Sequence, residues 1–456
     1  MKFRSTLVLA LLVAALGAWI WRVERPKVEQ ESAKKTLLAF PRDRVTGIEL
    51  AYPDVSITLR RNDGTWQVMA PVEAPADAGT VRDLLAAIGE AESKKVVAEK
   101  ADSPALYGLD APAATVTLVL DDGTRLPSLR VGRTTPVGHS AYAQVGENPS
   151  VLLTTAAFHA GVRKSVADLR DKTILAFHGD ALREVRILAN GRSEVVLARE
   201  GDAWRLARPF ATPADASQVQ GFLSTLESLR ADGFVDGVPT SEQGLLPPER
   251  TVTLVPREGV PLELLVGRTS GEDGEKKVFV ARGARGPVYS VSETLAVNLT
   301  KEAGDFRDKT IVTVARESVA SVVVTRADGE GFTLEKKGEH WTLAASATPA
   351  ETARQALLDR FAEDARTLRG SEVAAEPADA HALGLDHPAV AIALRGTDGA
   401  TLATIRIAER DGAGRKEALA GVEGGSVAWT LAEHVFQRID RKRADFLDTA
   451  TPAPAA

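Results

Sequence analysis

The sequence predicts an α+β protein: three tandem modules of antiparallel β-meanders with packed helices, preceded by one N-terminal transmembrane helix. Three observations carry that expectation. A set of ordered markers returns at a single long period. Short alternating segments are joined by Asn-Gly and Asp-Gly turns, the strongest local signal of a meander. An apolar stripe at helical spacing follows each meander.

The repeat comes first because it organises everything else. Thr36-Leu37-Leu38-Ala39-Phe40 returns as Thr173-Ile174-Leu175-Ala176-Phe177, and more loosely as Thr310-Ile311-Val312-Thr313-Val314. Trp66, Trp204 and Trp341 keep nearly the same step. So do Leu129 to Thr134 and Leu264 to Thr269, with Ile405 to Ala408 as a decayed third copy. Asp168-Leu169-Arg170-Asp171-Lys172-Thr173 matches Asp305-Phe306-Arg307-Asp308-Lys309-Thr310, then Asp445-Phe446-Leu447-Asp448-Thr449. A period of that length is the size of a self-sufficient domain, not of a solenoid unit. The expected organisation is a membrane anchor over 1–22, a charged stalk over 23–35, modules over 36–172, 173–309 and 310–448, and a disordered Pro/Ala tail over 449–456. No Pro/Ser-rich linker separates the modules, so a semi-rigid succession is expected.

Within copy one, strands are expected at Val45–Tyr52, Val55–Arg61 and Trp66–Met69, around Pro53-Asp54 and Asn62-Asp63-Gly64 turns. Copy two offers Val185–Ala189, Ser193–Arg199 and Trp204–Ala207. A helix follows. Thr212-Pro213-Ala214-Asp215 and Thr348-Pro349-Ala350-Glu351 read as threonine N-cap, proline at N1 and acid at N3. Ala74 stands at the threonine position of copy one, which predicts a weaker cap there. Val81, Leu84, Leu85 and Ile88, like Val219, Phe222, Leu223 and Leu226, form the stripe that packs on the sheet. After a Gly-Leu turn, strands are expected at Thr115–Leu120, Leu126–Val131, Tyr142–Val145 and Val151–Leu153, then a closing helix over about Thr155–Leu169.

The chain has 456 residues, 44% hydrophobic and 26% charged, with a net charge of −6 and both signs interleaved. That composition is globular, and it lacks the basic face that nucleic-acid binding requires. Without cysteine there are no disulfides, thiolate metal sites or cysteine nucleophiles. Lys2 and Arg4 precede an apolar run from Leu7 to Trp21, with Arg22 after it. The run is short for a span of about 20 residues, but Phe3, Ser5 and Thr6 extend it while Arg4 snorkels. Ala15-Leu16-Gly17 offers a rival cleavage site; Trp19, Ile20 and Trp21 continue the apolar stretch beyond it and suit a membrane interface. The expectation is an uncleaved inner-membrane anchor through residues 5–21, N-terminus inside, with the bulk of the chain in the periplasm.

Candidate sites divide into recurring and unique residues. Trp66, Trp204 and Trp341 start a strand after a turn, where core packing outweighs ligand stacking. Arg170, Asp171 and Lys172, with Arg307, Asp308 and Lys309, sit where one module meets the next. Copy three carries Leu447 and Thr449 at the arginine and lysine positions, so these residues are expected to bridge neighbouring modules rather than form a solvated helix end. The histidines His139, His159, His178, His340, His381, His387 and His434 neither recur nor fit a metal pattern. Ser32-Ala33-Lys34-Lys35 matches Ser-x-x-Lys only by accident, in the stalk. Gly412-Ala413-Gly414 breaks the dinucleotide pattern after its second glycine, and Glu272 to Lys277 reads as a hairpin tip, not a calcium loop. No catalytic, cofactor or metal residue is expected.

Asp63-Gly64-x-Trp66, Pro75-Ala76-Asp77, Tyr107-Gly108-Leu109-Asp110-x-Pro112 and Val131-Gly132 resemble the family known as domain of unknown function 4340. The likeness covers about 36–448 and fades in copy three, where Leu383 replaces Tyr107 and Ala408 replaces Gly132; Leu246 departs from the aspartate in copy two. The resemblance implies a single-pass bacterial membrane protein accessory to a gliding-motility-type ABC transporter, with no catalytic residue to carry over. The expected function is a non-enzymatic periplasmic accessory or scaffold, partner of such a transporter in motility, pilus or export machinery. Envelope glycan or lipid binding is the alternative, and a hydrolase the remote one.

Overall fold

A computed structural model describes residues 35–136, 140–271, 276–344, 354–412 and 415–447. The strands form three large antiparallel sheets, beside a two-stranded pair of Lys35–Thr36 with Glu92–Ser93, and a few helices pack with them, which fits a three-module α+β arrangement. The expected anchor, nearly all of the stalk, His139, the acidic part of the 272–277 tip, the 348–351 cap, Ala413-Gly414 and the tail lie outside the described residues. Among the described residues no helix is long and apolar enough to cross a membrane.

The first sheet runs from the edge pair Ala74–Pro75 through Thr65–Ala70, Ser56–Asn62 and Val45–Ala51. It continues with Ala114–Leu120, Leu129–Thr134, Ser140–Val145, Val151–Thr155 and finally Lys95–Ala98. The second follows the same order, from Thr212–Pro213 through Leu182–Ala189 and Arg250–Pro256 to Gly233–Val235. The third runs from His340–Leu343 through Ser321–Arg326 and Val390–Arg395 to Val373–Ala375. By packing, the chain divides into two compact units. One takes the chain up to Ala176 with Leu229–Leu246 and Thr269–Ser292. The other takes Phe177–Ser228, Pro247–Arg268 and the chain from Glu293 onward.

Periodicity explains what is buried. Alternate residues Ile48, Leu50, Ile57 and Leu59 face inward and receive Val81, Leu84, Leu85 and Ile88 from the helix Ala78–Gly89. The helix Ala216–Glu227 buries Val219, Phe222, Leu223 and Leu226 in the same way. Helix Gln355–Arg366 buries Leu358 and Phe361, and the Phe361 ring joins Phe332 and Phe446 in a cluster of edge-on and tilted contacts. Each large apolar side chain taken out of water contributes roughly 2 kcal/mol, so the sheet-facing stripe is what holds each helix down.

Several expectations are corrected. The helices begin later than the Thr-Pro signal predicts, and the caps are Asp77 and Asp215, not position 74 or Thr212. Ala74–Pro75 and Thr212–Pro213 are instead short edge strands. The physical reason is competition from the chain ahead: the Asp77 amide donates to the Leu169 carbonyl and the Asp171 amide to the Pro75 carbonyl, both at 2.8 Å. That pairing keeps the segment extended until the aspartate, whose carboxylate accepts the Thr80 amide at 2.7 Å. Copy one is therefore capped by Asp77, with one amide where Asp215 takes two.

The closing helix is two pieces, Ala156–Gly161 and Val166–Leu169. Ser165 and Asp168 form a capping box that starts the second piece. Tyr52 holds the break open, donating to the Val162 carbonyl (2.8 Å) and accepting the Lys164 amide (3.0 Å). Pro127 shifts the strand expected at Leu126 to Leu129–Thr134. The short strands Lys95–Ala98, Gly233–Val235 and Val373–Ala375 went unread because three or four residues carry too little periodicity.

The family-like glycines have a packing reason. A Cβ on Gly132 would lie 2.2 Å from the Tyr107 carbonyl oxygen, so the Tyr-Gly-Leu turn rests directly on the Val-Gly strand. Gly108 makes that turn at φ +66°, a left-handed conformation that glycine adopts without strain.

Candidate functional site

Two constellations bring the recurring polar residues together. In the first, the chain leaving Leu169 runs extended. Thr173 forms an isolated bridge with Arg230, and the Ala231 amide donates to the Lys172 carbonyl at 2.8 Å. Arg230 donates to Thr173 Oγ1 at 2.8 Å and to the capping Asp77 at 3.2 Å, and lies 4.0 Å from Asp171. Asp171 turns back to accept the Thr173 amide at 2.9 Å. Arg170, 11% exposed, pairs with Asp236 at 3.1 Å and lies over the Phe234 ring, 3.8 Å from its centroid.

The second constellation repeats this plan. Thr310 bridges Arg369, and the Gly370 amide donates to the Lys309 carbonyl at 2.8 Å. Arg369 is hydrogen-bonded to the capping Asp215 and lies 3.9 Å from Asp308. Asp308 accepts from the Thr310 amide at 3.0 Å and hydroxyl at 2.7 Å. Arg307 is deeper than Arg170, 6% exposed, and donates to Glu376 at 2.7 Å. Phe210 and Trp429 each stand 5.1 Å from its guanidinium.

These contacts set the charges. The Thr80 amide, aided by Arg230, holds the Asp77 carboxyl below the ordinary carboxylate range. Burial pushes Asp215 up, but bonds from Ser217, the Gln218 amide and Arg369 outweigh it and keep the group depressed. The hydrogen bond from Arg307 depresses Glu376. These three carboxyls stay ionised at neutral pH, so each joint holds charge-assisted bonds.

The tryptophans differ from one another. Trp341 is 2% exposed within the third core, and its amide donates to Asp359 at 2.9 Å. Trp66 is half-buried against the first core, and Trp204 is half-buried under Arg199. His381 and His387 lie 2.7 and 3.8 Å from Asp386 on the surface. Among the described residues, no group of three or more His, Asp or Glu is arranged to hold a metal ion.

Sequence reasoning found the incoming half of each joint and missed the receiving half: Asp77 and Asp215, Arg230 and Arg369, Asp236 and Glu376. Leu229-Arg230-Ala231 and Leu368-Arg369-Gly370 were a readable signal, since both directly follow the module helix. The paired acids and rings were not readable, because their spacing from the arginine shifts between copies.

Fold and repeat define a class: a tandem-repeat α+β protein in which recurring charged residues, at Arg170 to Thr173 and at Arg307 to Thr310, make matching contacts with Arg230 and Arg369. Within that class the chain belongs to the family described as Domain of unknown function (DUF4340), whose model matches residues 66–248 and again 204–368. The two matches begin at Trp66 and Trp204, the same marker of successive copies. No curated protein and no solved structure matches the chain.

Proposed function

We propose that the chain is a non-enzymatic accessory protein of the bacterial envelope, tethered by residues 5–21 in the inner membrane and acting in the periplasm as partner of an ABC transporter. One observation supports the non-enzymatic reading above others. Four of the polar residues that the repeat preserves, Arg170, Asp171, Arg307 and Asp308, are engaged with partners at the joints. Groups tied up in this way serve to fix successive sheets, leaving the faces between them for recognition. The apolar run Leu7 to Trp21 supports the tether, and the family resemblance supports the transporter.

Affinity purification of the tagged chain from membranes solubilised in several detergents tests this reading. A permease or ATPase co-purifying in at least one detergent is the expected result. Failure to recover either across all of them counts against it.

A further inference from the structure

Each module ties its central strands to the break in its closing helix, and the three ties differ in charge. In copy one Tyr52 makes the tie with a neutral hydroxyl. In copy three Arg326 makes it, bonded to the Arg441 carbonyl and ion-paired with Asp440 and Asp328. Copy two has Ala189 at the Arg326 position, since Ala189 pairs with Arg250 as Arg326 pairs with Val390. The tie passes across the ladder to Arg250, whose register equivalents Ala114 and Val390 are buried apolar residues. Arg250 is half-buried and donates to the Lys301 carbonyl at 2.9 Å and the Thr300 carbonyl at 3.2 Å. Thr300 stands where copy three has Asp440, each at the same distance ahead of the Asp-Phe marker, Asp305-Phe306 or Asp445-Phe446. The arginine of the tie is kept and its acid is gone.

The small Ala189 also leaves room. A cleft of about 460 Å³ lies there, lined by Ile187, Val195 and Pro209 together with Arg192, Arg250 and Glu302. That is within the usual size of a ligand site, roughly 300–1,000 Å³. Arg192 pairs with Glu302, and both side chains are exposed, so the pair contributes little and opens readily. Two cations against one acid leave an excess positive charge at the cleft. Burial and the neighbouring Arg192 both push the Arg250 guanidinium down from its ordinary value, and no acid among the described residues acts against them.

We infer that this cleft binds the carboxylate of a small organic acid with a short apolar body. Backbone carbonyls accept hydrogen bonds from Arg250 but bring no net charge, so a monoanion supplies what Asp440 supplies in copy three. Guanidinium groups hold carboxylates through charge-assisted bonds, and the aliphatic walls receive the carbon body. A dianion such as phosphate exceeds the spare charge and has no apolar part to bury. The inference goes beyond the accessory reading and does not rest on it.

The test uses the full chain in micelles of an uncharged detergent at low salt, with trifluorobutyrate followed by fluorine NMR against empty micelles. Saturable binding is expected, with the uncharged trifluorobutanamide about tenfold or more weaker. Arg250→Val places the copy-three residue at this position and should weaken binding by about tenfold or more. Glu302→Gln keeps an oxygen for the Asp305 amide, removes the competing acid and should tighten binding about threefold. Arg250→Val risks the fold by losing the tie, and Glu302→Gln, whose effect has the opposite sign, decides in that case. No saturable binding at millimolar trifluorobutyrate, equal binding of the amide, or unchanged binding in a folded Arg250→Val chain would each overturn the inference. So would weaker binding in Glu302→Gln, or displacement by inorganic phosphate at lower concentration than by butyrate.

Discussion

The joints at Arg170 and Arg307 use the same incoming sequence and the same backbone pairing, yet they seat their arginines in different surroundings. Arg170 lies over one ring and pairs with Asp236, which is 75% exposed. Arg307 is sunk between two rings and pairs with the less exposed Glu376. The difference teaches that the repeat preserves the attachment, through Thr173 to Arg230 and Thr310 to Arg369, and leaves the packing around the arginine free to diverge.

The largest expected difference between them follows from burial. Arg307→Ala leaves Glu376 without its partner and two rings without their cation, and should cost about 3 kcal/mol, part of the loss being relieved by water at Glu376. Arg170→Ala should cost about 1 kcal/mol, because an exposed pair contributes little and the ring contact remains the main loss. Urea midpoints at constant m-value measure both, and equal losses would erase the distinction.

The caps come next. Asp215 accepts from the Ser217 and Gln218 amides and from the Ser217 hydroxyl, whereas Asp77 accepts one amide, that of Thr80. Asp215→Ala should therefore cost about 2 kcal/mol and Asp77→Ala about 1 kcal/mol. Both carboxyls are depressed in the folded chain, so the unfolded chain takes up protons first as the pH falls. Their contribution is fully present above the unfolded value of about 4 and is lost as the pH drops through the folded values. The urea midpoint should decline from pH 6 to pH 3, and more shallowly in the doubly substituted chain; a parallel decline would contradict the assignment.

Much of the fold was legible in the sequence because burial imposes periodicity. Val81 to Ile88 and Ile48 to Leu59 announce their faces, and the turns at Asn62-Asp63-Gly64 and Asn190-Gly191 announce the hairpins. The helix start was misread because Thr212-Pro213 satisfies a local rule that the arriving Arg307–Asp308 segment overrides through long-range pairing. The joint was half legible for a related reason. Arg307 and Lys309 repeat in sequence, but Glu376, Phe210 and Trp429 come from distant strands and loops whose meeting only the fold decides.

The smallest effect expected is at Asp308. Its bonds to Thr310 shape the turn, so Asp308→Ala should cost about 0.5 kcal/mol and loosen the link. Two melting transitions in place of a coupled one would sharpen the comparison, and an unchanged melt would count against a bridging role.

Native-state hydrogen exchange in the Arg307→Ala chain tests most directly whether these residues fasten neighbouring repeats. Peptides spanning 368–372, where the Gly370 amide donates to Lys309, should exchange faster than in the unsubstituted chain. Helix Ala216–Glu227 and the first-joint amide of Ala231 should keep their protection. Unchanged protection at 368–372, or equal acceleration throughout the chain, would contradict the account.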